Sequence, residues 1–355
     1  MNGKNDQGTE TTADRIDTDV HCAPASFADL EPYFARYWRS YIEDANLTLS
    51  PTAGGAYPPG ARTTGHAATD AGALREHVGD LRYAVLTCVT PFDVSRNPYF
   101  EAALASAVND WVRAEWLEGR PRLRGSITVS TMDPAAAVAE IERLGDDERF
   151  VQVLLPVRGN DVRYGHVRYQ PVLAAAAERD LTVCLHAWGR VGNAPTPSGF
   201  THSYLEDYLA NAQIAQSQIV SLIAEGVFER LPGLRVCLAE CGFSWLPPLL
   251  WRFDKEWKGV WREVPWVKQR PSDYVYRHVR ATTAFAHLPS DEGELREALT
   301  AIRPSDWLMY ASDFPHRHGE GGRRLLSALD GPDKQAVLSG NALRFYRGLT
   351  AAGPR

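Results

Sequence analysis

The chain has 355 residues, 44% of them hydrophobic and 23% charged, with a formal net charge of −6. That balance fits a soluble globular protein and disfavours nucleic acid or an anionic membrane as a partner. The polar segment 1–12 lacks the apolar stretch of a secretory signal and reads as a disordered lead-in. No apolar run reaches bilayer-spanning length. The five cysteines (Cys22, Cys88, Cys184, Cys237 and Cys241) are odd in number and form no C-x-x-C pair. Cys88, Cys184 and Cys237 sit inside apolar runs, where a thiol packs as a small hydrophobe, so a reducing cytoplasm is expected.

The first strand-like run is 16–21, Ile-Asp-Thr-Asp-Val-His. Alternation along a strand turns Asp19 and His21 to the same side. Residues 30–41 look helical and aromatic, and 46–69 are rich in Pro, Gly, Ala and Thr. Together they suggest an insertion at about 42–72, carrying Tyr57, at or over the pocket. Further strands are expected at 83–89, 123–130, 150–156, 181–186, 234–240, 278–283 and 307–312. Helical patterns fall between them: at 98–117, from Asp133-Pro134 with Asp as N-cap and Pro at the first position, at 170–179, at 203–230 up to the stop Leu231-Pro232-Gly233, and at 245–257, 292–302, 321–329 and 336–346. The strand runs are near-continuously apolar, as in sheets covered on both faces. Eight β-then-α units predict an α/β protein, a (β/α)8 TIM-like barrel filling one domain over 13–350. An open doubly wound sheet is the alternative.

In a parallel barrel the chemistry gathers at the carboxyl ends of the strands. Standing there are Asp19 and His21, His186, Glu240 and Asp313. Singly, each has a structural reading: a core histidine for His186, a turn or N-cap for Asp313, a buried ion pair for Glu240. Jointly, two imidazoles and several carboxylates suit one divalent ion, Zn²⁺ or alternatively Mn²⁺ or Fe²⁺. Asp19, His21, His186, Glu240 and Asp313 are the candidate ligands, with Asp313 and Glu240 also the candidate acid and base groups. Trp188, Phe200, Phe243, Trp245 and Tyr57 suggest a pocket that accepts a ring, although core packing is equally open for Trp245. Arg280 is the expected anchor for a substrate carboxylate, with pairing to Glu240 as its rival role, and Arg190 is a weaker anchor. His316, just beyond Asp313, is expected beside the metal ligands or against the substrate.

Asp19-x-His21, His186, the segment Gly226-Val227-Phe228-Glu229-Arg230-Leu231-Pro232-Gly233-Leu234-Arg235-Val236, the segment Glu240-Cys241-Gly242-Phe243-Ser244-Trp245-Leu246-Pro247 and Ser312-Asp313-Phe314-Pro315-His316 form a combination. It resembles the amidohydrolase-related proteins of the amidohydrolase superfamily, on the branch of aminocarboxymuconate-semialdehyde decarboxylase. The resemblance runs from about Arg15 to Tyr346. It implies a TIM-like barrel, one catalytic divalent metal, and hydrolysis or non-oxidative decarboxylation of a small, often aromatic acid, with a homodimer plausible as in that family. By position, Asp19, His21, His186 and Asp313 match its metal ligands. The chain departs from the pattern twice. Asp19 stands where His or Glu is frequent, and Glu240-Cys241-Gly242 stands where the decarboxylases have a catalytic His followed by Gly.

The first expectation is therefore a metal-dependent hydrolase acting through a metal-activated water on a small, aromatic or cyclic, carboxylate-bearing substrate. The second is a metal-dependent carbon–carbon lyase that protonates the ring and releases CO₂, with the protonated form of Asp313 as the acid. A barrel that only binds a ligand is a third possibility.

Overall fold

A computed structural model describes residues 14–49, 68–88, 95–189, 194–316, 320–351 and 353. Its strands are β1 (Ile16–His21), β2 (Tyr83–Thr87), β3 (Leu123–Thr128), β4 (Phe150–Arg158), β5 (Thr182–Gly189), β6 (Arg235–Ala239), β7 (Val279–Thr282) and β8 (Leu308–Met309). They form one eight-stranded sheet in the order β1 to β8, every neighbouring pair parallel. Helices alternate with the strands, and the fold is a (β/α)8 barrel.

β8 is the shortest strand, only two residues. The chain beyond it is irregular, yet it closes the barrel. The Thr18 N–H donates to the Tyr310 carbonyl at 3.0 Å and the His21 N–H to the Phe314 carbonyl at 2.8 Å, and Val20 bridges Phe314 in parallel fashion. A strand read as 307–312 from its apolar residues is thus replaced past Met309 by a loop tied to β1.

Apolar residues divide between two layers. Ile16, Val85, Leu154, Cys184, Cys237 and Met309 fill the barrel interior, while Val20, Ile127, Val153 and Leu185 face the helices. Burial on both sides explains why the strands read as unbroken apolar runs. Phe345 and Tyr346 join the interior cluster, and the Tyr346 hydroxyl donates to Gln152 Oε1 at 2.9 Å. Arg347 donates to the carbonyls of Gly145 and Phe150, at the amino-terminal edge of β4. The chain's last helical turns therefore plug the bottom of the barrel, leaving the carboxyl ends of the strands as the open mouth.

Local signals hold where they were strong. Asp133 caps the helix Pro134–Leu144 by accepting the N–H groups of Ala135 and Ala136. Ser203 and Glu206 form a reciprocal capping box at the start of Tyr204–Ala224. The long helix read as 203–230 is broken at Gly226, which takes φ +68°. A Cβ there would lie 2.4 Å from the Trp266 ring, so only glycine turns the corner. The region after β1 forms the helices Phe27–Leu30 and Arg36–Asp44. Phe34, between them, and Trp38 and Tyr41 of the second pack around Phe100. Most of the expected insertion, with Tyr57, lies outside the described residues, as does Arg190. All five cysteines are buried. Among the described residues, no helix is long and apolar enough to cross a membrane.

Candidate metal centre

β1 delivers Asp19 and His21 from one face, both buried. β5 delivers His186, which pairs in register with Ala239, so the next residue of the β6 chain, Glu240, lies across from it. Glu240 takes φ +57° and Asp313 takes φ +54°. For non-glycine residues this conformation costs about 1–3 kcal/mol each and is typical of functional turns. The Glu240 N–H donates to Thr282 Oγ1 at 3.2 Å, and the Asp313 N–H donates to the Asp19 carbonyl at 3.1 Å. Neighbouring strands thus hold both strained residues in place.

The side chains converge. His186 Nε2 lies 3.3 Å from Asp19 Oδ2 and 3.0 Å from Glu240 Oε1. His21 Nε2 lies 3.1 Å from Glu240 Oε1 and 2.5 Å from Asp313 Oδ1. Asp19, His21, His186 and Glu240 form one quartet and His21, Glu240, Asp313 and His316 a second, each with its ligand atoms within 4.8 Å of one another. His21 and Glu240 belong to both. The expected ligands Asp19, His21, His186 and Asp313 all stand in this cluster. Glu240 completes the first quartet, and Asp313 falls in the second.

The donor set fits a divalent cation. Asp19 Oδ1 and His186 Nδ1 are buried without a hydrogen bond, and Asp19 Oδ2 and His186 Nε2 meet in ionic contacts without hydrogen-bond alignment. Such groups are costly to bury unless something satisfies them, and a shared cation between carboxylate and imidazole does so. Without the cation, protons take its place. Burial alone would lower the pKa of His186, but the charges of Glu240 and Asp19 outweigh it and push it up to about 10. Burial also opposes the proton on His21, yet Asp313, Glu240 and Asp19 hold it well above the usual histidine range. For Asp19, burial would raise the pKa, and His186 and His21 together bring it below the ordinary value.

Two of the expected substrate contacts stand at the mouth. The Trp188 ring, half-buried, meets that of His186 edge-on at 5.4 Å. The His316 ring lies 4.9 Å from that of His21, and its Nδ1 is 3.1 Å from Asp313 Oδ1. The other two do not stand there. Arg280 is the second residue of β7, paired with Cys237 near the bottom. Its guanidinium donates to the carbonyls of Tyr276 and Val279 and covers the Phe345 ring of the plug. It reaches neither Glu240 nor the mouth, because position 280 lies at the amino-terminal end of β7, beside the plug. Phe243 is fully buried against Trp307: the φ +65° of Gly242 turns the chain into the helix layer. Trp245 donates to the Cys241 carbonyl, and Phe200 is exposed.

Two further residues stand at the mouth without a strong local signal in the sequence. Arg158, the last residue of β4, shares the strand face of Gln152 and Leu154 and so points to the mouth. It pairs with Asp207 at 2.7 Å. A Cβ on Gly189 would meet the Arg158 stem at 2.3 Å, so that glycine makes room for it. Tyr204 lies close enough to Glu240 and Asp207 that burial and both charges raise its pKa, which places the Arg158–Asp207 pair beside the same opening. Period-2 counting from Gln152 would have found Arg158 had the strand been extended past 156.

A cluster of imidazoles and carboxylates at the open end of a (β/α)8 barrel is a candidate metal centre. The chain belongs to the amidohydrolase family, whose profile matches residues 16–348. It is 28% identical over 193 residues to the gamma-resorcylate decarboxylase of Rhodococcus jostii, a match covering 51% of this chain and 58% of that protein. It is 23% identical to the gamma-resorcylate decarboxylase of a Rhizobium species, covering 69% of this chain and 76% of that one. Among solved structures, 5-carboxyvanillate decarboxylase from Sphingomonas paucimobilis shares the fold with a TM-score of 0.65 at 22% identity, covering 94% of this chain and 98% of that one. The Novosphingobium aromaticivorans 5-carboxyvanillate decarboxylase, with bound manganese and 3-methoxy-4-hydroxy-5-nitrobenzoic acid, shares it with a TM-score of 0.70 at 19% identity, covering 95% and 98%.

Proposed function

We propose that this protein is a metal-dependent, non-oxidative decarboxylase of a small aromatic acid. The observation that carries the reading is the pairing of Asp313 with His316 beside a buried ligand quartet: an acid next to the cation site, linked to a half-exposed imidazole. The character of the curated relatives supports it over hydrolysis, the first expectation, since both are decarboxylases.

Asp19, His21, His186 and Glu240 would hold the ion, with Asp313 beside them. Manganese is the proposed metal, on the strength of the manganese-bound relative. When bound, a divalent ion would supply positive charge at the site that favours binding of an anionic substrate. Trp188 packs against the ring, and Arg158 faces an anionic or hydroxyl substituent away from the metal. In its protonated form Asp313 gives its proton to the ring carbon that bears the carboxylate. The bond from that carbon to the carboxylate then breaks, its electron pair restores the aromatic ring, and CO₂ leaves. Asp313, now a carboxylate, regains a proton from solvent through His316. Phe200, Leu205, Leu209 and Trp251 are exposed, and a homodimer covering part of this apolar surface is proposed with the enzyme.

The test is product analysis. Purified protein loaded with Mn²⁺ is given 2,6-dihydroxybenzoate and 5-carboxyvanillate, and in parallel a panel of aryl esters, lactones and amides. CO₂ release with loss of the carboxylate supports the lyase. Cleavage of the ester, lactone or amide panel without CO₂ release overturns it.

A further inference from the structure

His77 belongs to none of the groups above. It lies on the helix Ala71–Val78, which precedes β2, with about a quarter of its side chain exposed. Its Nε2 is 3.2 Å from Asp17 Oδ2 and 3.0 Å from Ser312 Oγ, and its ring stacks on Phe314 at 4.4 Å. Asp17 is fully buried. Its Oδ1 accepts the N–H of Ser312 at 3.0 Å and that of Asp19 at 3.3 Å. Ser312 Oγ in turn accepts the Phe314 N–H at 3.1 Å.

One carboxylate thus holds the backbone of Asp19 on β1 and the residue before Asp313 on the loop past β8. These are the two sides of the barrel seam. That loop has almost no sheet of its own to hold it, because β8 ends at Met309. It must nevertheless keep Asp313 at a positive φ within reach of His21. The His77 ring closes the bracket from outside by touching Asp17, Ser312 and Phe314 together.

We infer that His77 and Asp17 are positioning residues that set the spacing of Asp19 and Asp313 and so tune the affinity of the metal centre. Groups that orient ligating carboxylates typically change metal affinity by roughly 10–100-fold when removed. The inference rests on the metal reading above.

His77 is the residue to change, since it is about a quarter exposed and removing its ring opens a path for water to the buried Asp17 carboxylate. Mn²⁺ binding to metal-free wild type, His77→Ala, His77→Gln, Ser312→Ala and the His77→Ala, Ser312→Ala double variant is measured by titration calorimetry, alongside the thermal midpoint of each metal-free protein. The expected result is a roughly 10–100-fold weaker Mn²⁺ affinity for His77→Ala with a midpoint close to wild type. His77→Gln, which keeps a donor near the Nε2 position, recovers much of the affinity. Adding Ser312→Ala to His77→Ala costs less than the two single losses combined, because both cut the same bracket. Wild-type affinity in His77→Ala overturns the inference. So does a loss of affinity matched by a loss of fold that glutamine does not recover. Wild type that takes up no Mn²⁺ overturns the metal reading, and this inference with it.

Discussion

The Asp313 N–H donates to the Asp19 carbonyl at 3.1 Å, joining two residues 294 positions apart in the chain through one backbone hydrogen bond. The same bond that helps close the barrel brings a carboxylate from each end of the fold to His21. Closure and assembly of the metal centre are therefore one event, and damage to either is felt by both.

Asp313→Asn keeps the shape of the side chain and removes the acid. Decarboxylation, followed as CO₂ release, is expected to fall by about 10²–10⁴-fold, the usual worth of a positioned proton donor. Mn²⁺ uptake should persist through the Asp19, His21, His186 and Glu240 quartet. Retention of full activity would remove Asp313 from the chemistry.

His186→Ala takes away a proposed ligand that is buried, with no hydrogen bond to its Nδ1 and with its Nε2 against Asp19 and Glu240. Metal content measured by elemental analysis should drop well below one ion per chain, and chelator treatment of wild type should reproduce the loss of activity. Adding Mn²⁺ back should restore wild type and leave the variant inactive. A variant with wild-type metal content would show that the cluster is not the site.

Metal binding should strengthen as pH rises. In the metal-free protein His186 holds its proton up to about 10 and His21 is raised as well. A cation must displace those protons, so affinity increases with pH below these values and falls as acid refills the site. Indicator competition between about pH 6 and 8 measures the slope. An affinity independent of pH contradicts protonated histidines in the empty site.

Trp188 and Phe243 separate recognition from packing. Trp188→Ala should raise KM for an aromatic acid with little change in stability. Phe243→Ala should cost about 3–5 kcal/mol of stability, as large buried rings do, and leave the KM of the folded fraction unchanged. Denaturant unfolding and steady-state kinetics on both variants decide the point.

Arg158→Gln and Gly189→Ala should act alike, since a Cβ at 189 would push the Arg158 stem aside. Both are expected to raise KM for 5-carboxyvanillate by about 10-fold or more, in line with loss of a charge-assisted contact worth roughly 1.5–3 kcal/mol. Arg280→Met serves as the control and should leave KM alone. A KM shift in the control but in neither of the others would reverse the assignment.

By itself the sequence determined the eight strand-and-helix units, the helix cap at Asp133, and the acidic and imidazole groups that stand at the strand ends. Those signals are local: apolar runs buried on both faces, capping side chains, and acidic or imidazole groups beside strand ends. Only the tertiary structure decided which ends meet. Arg280 and Arg158 both stand on strands, and one points at the plug and the other at the mouth because of their distance along the strand from the barrel floor. Phe243 looked like a pocket ring until the turn at Gly242 carried it into the helix layer. His77 gave no local sign at all, because its importance comes from three contacts with Asp17, Ser312 and Phe314 that exist only once the two ends of the chain are drawn together.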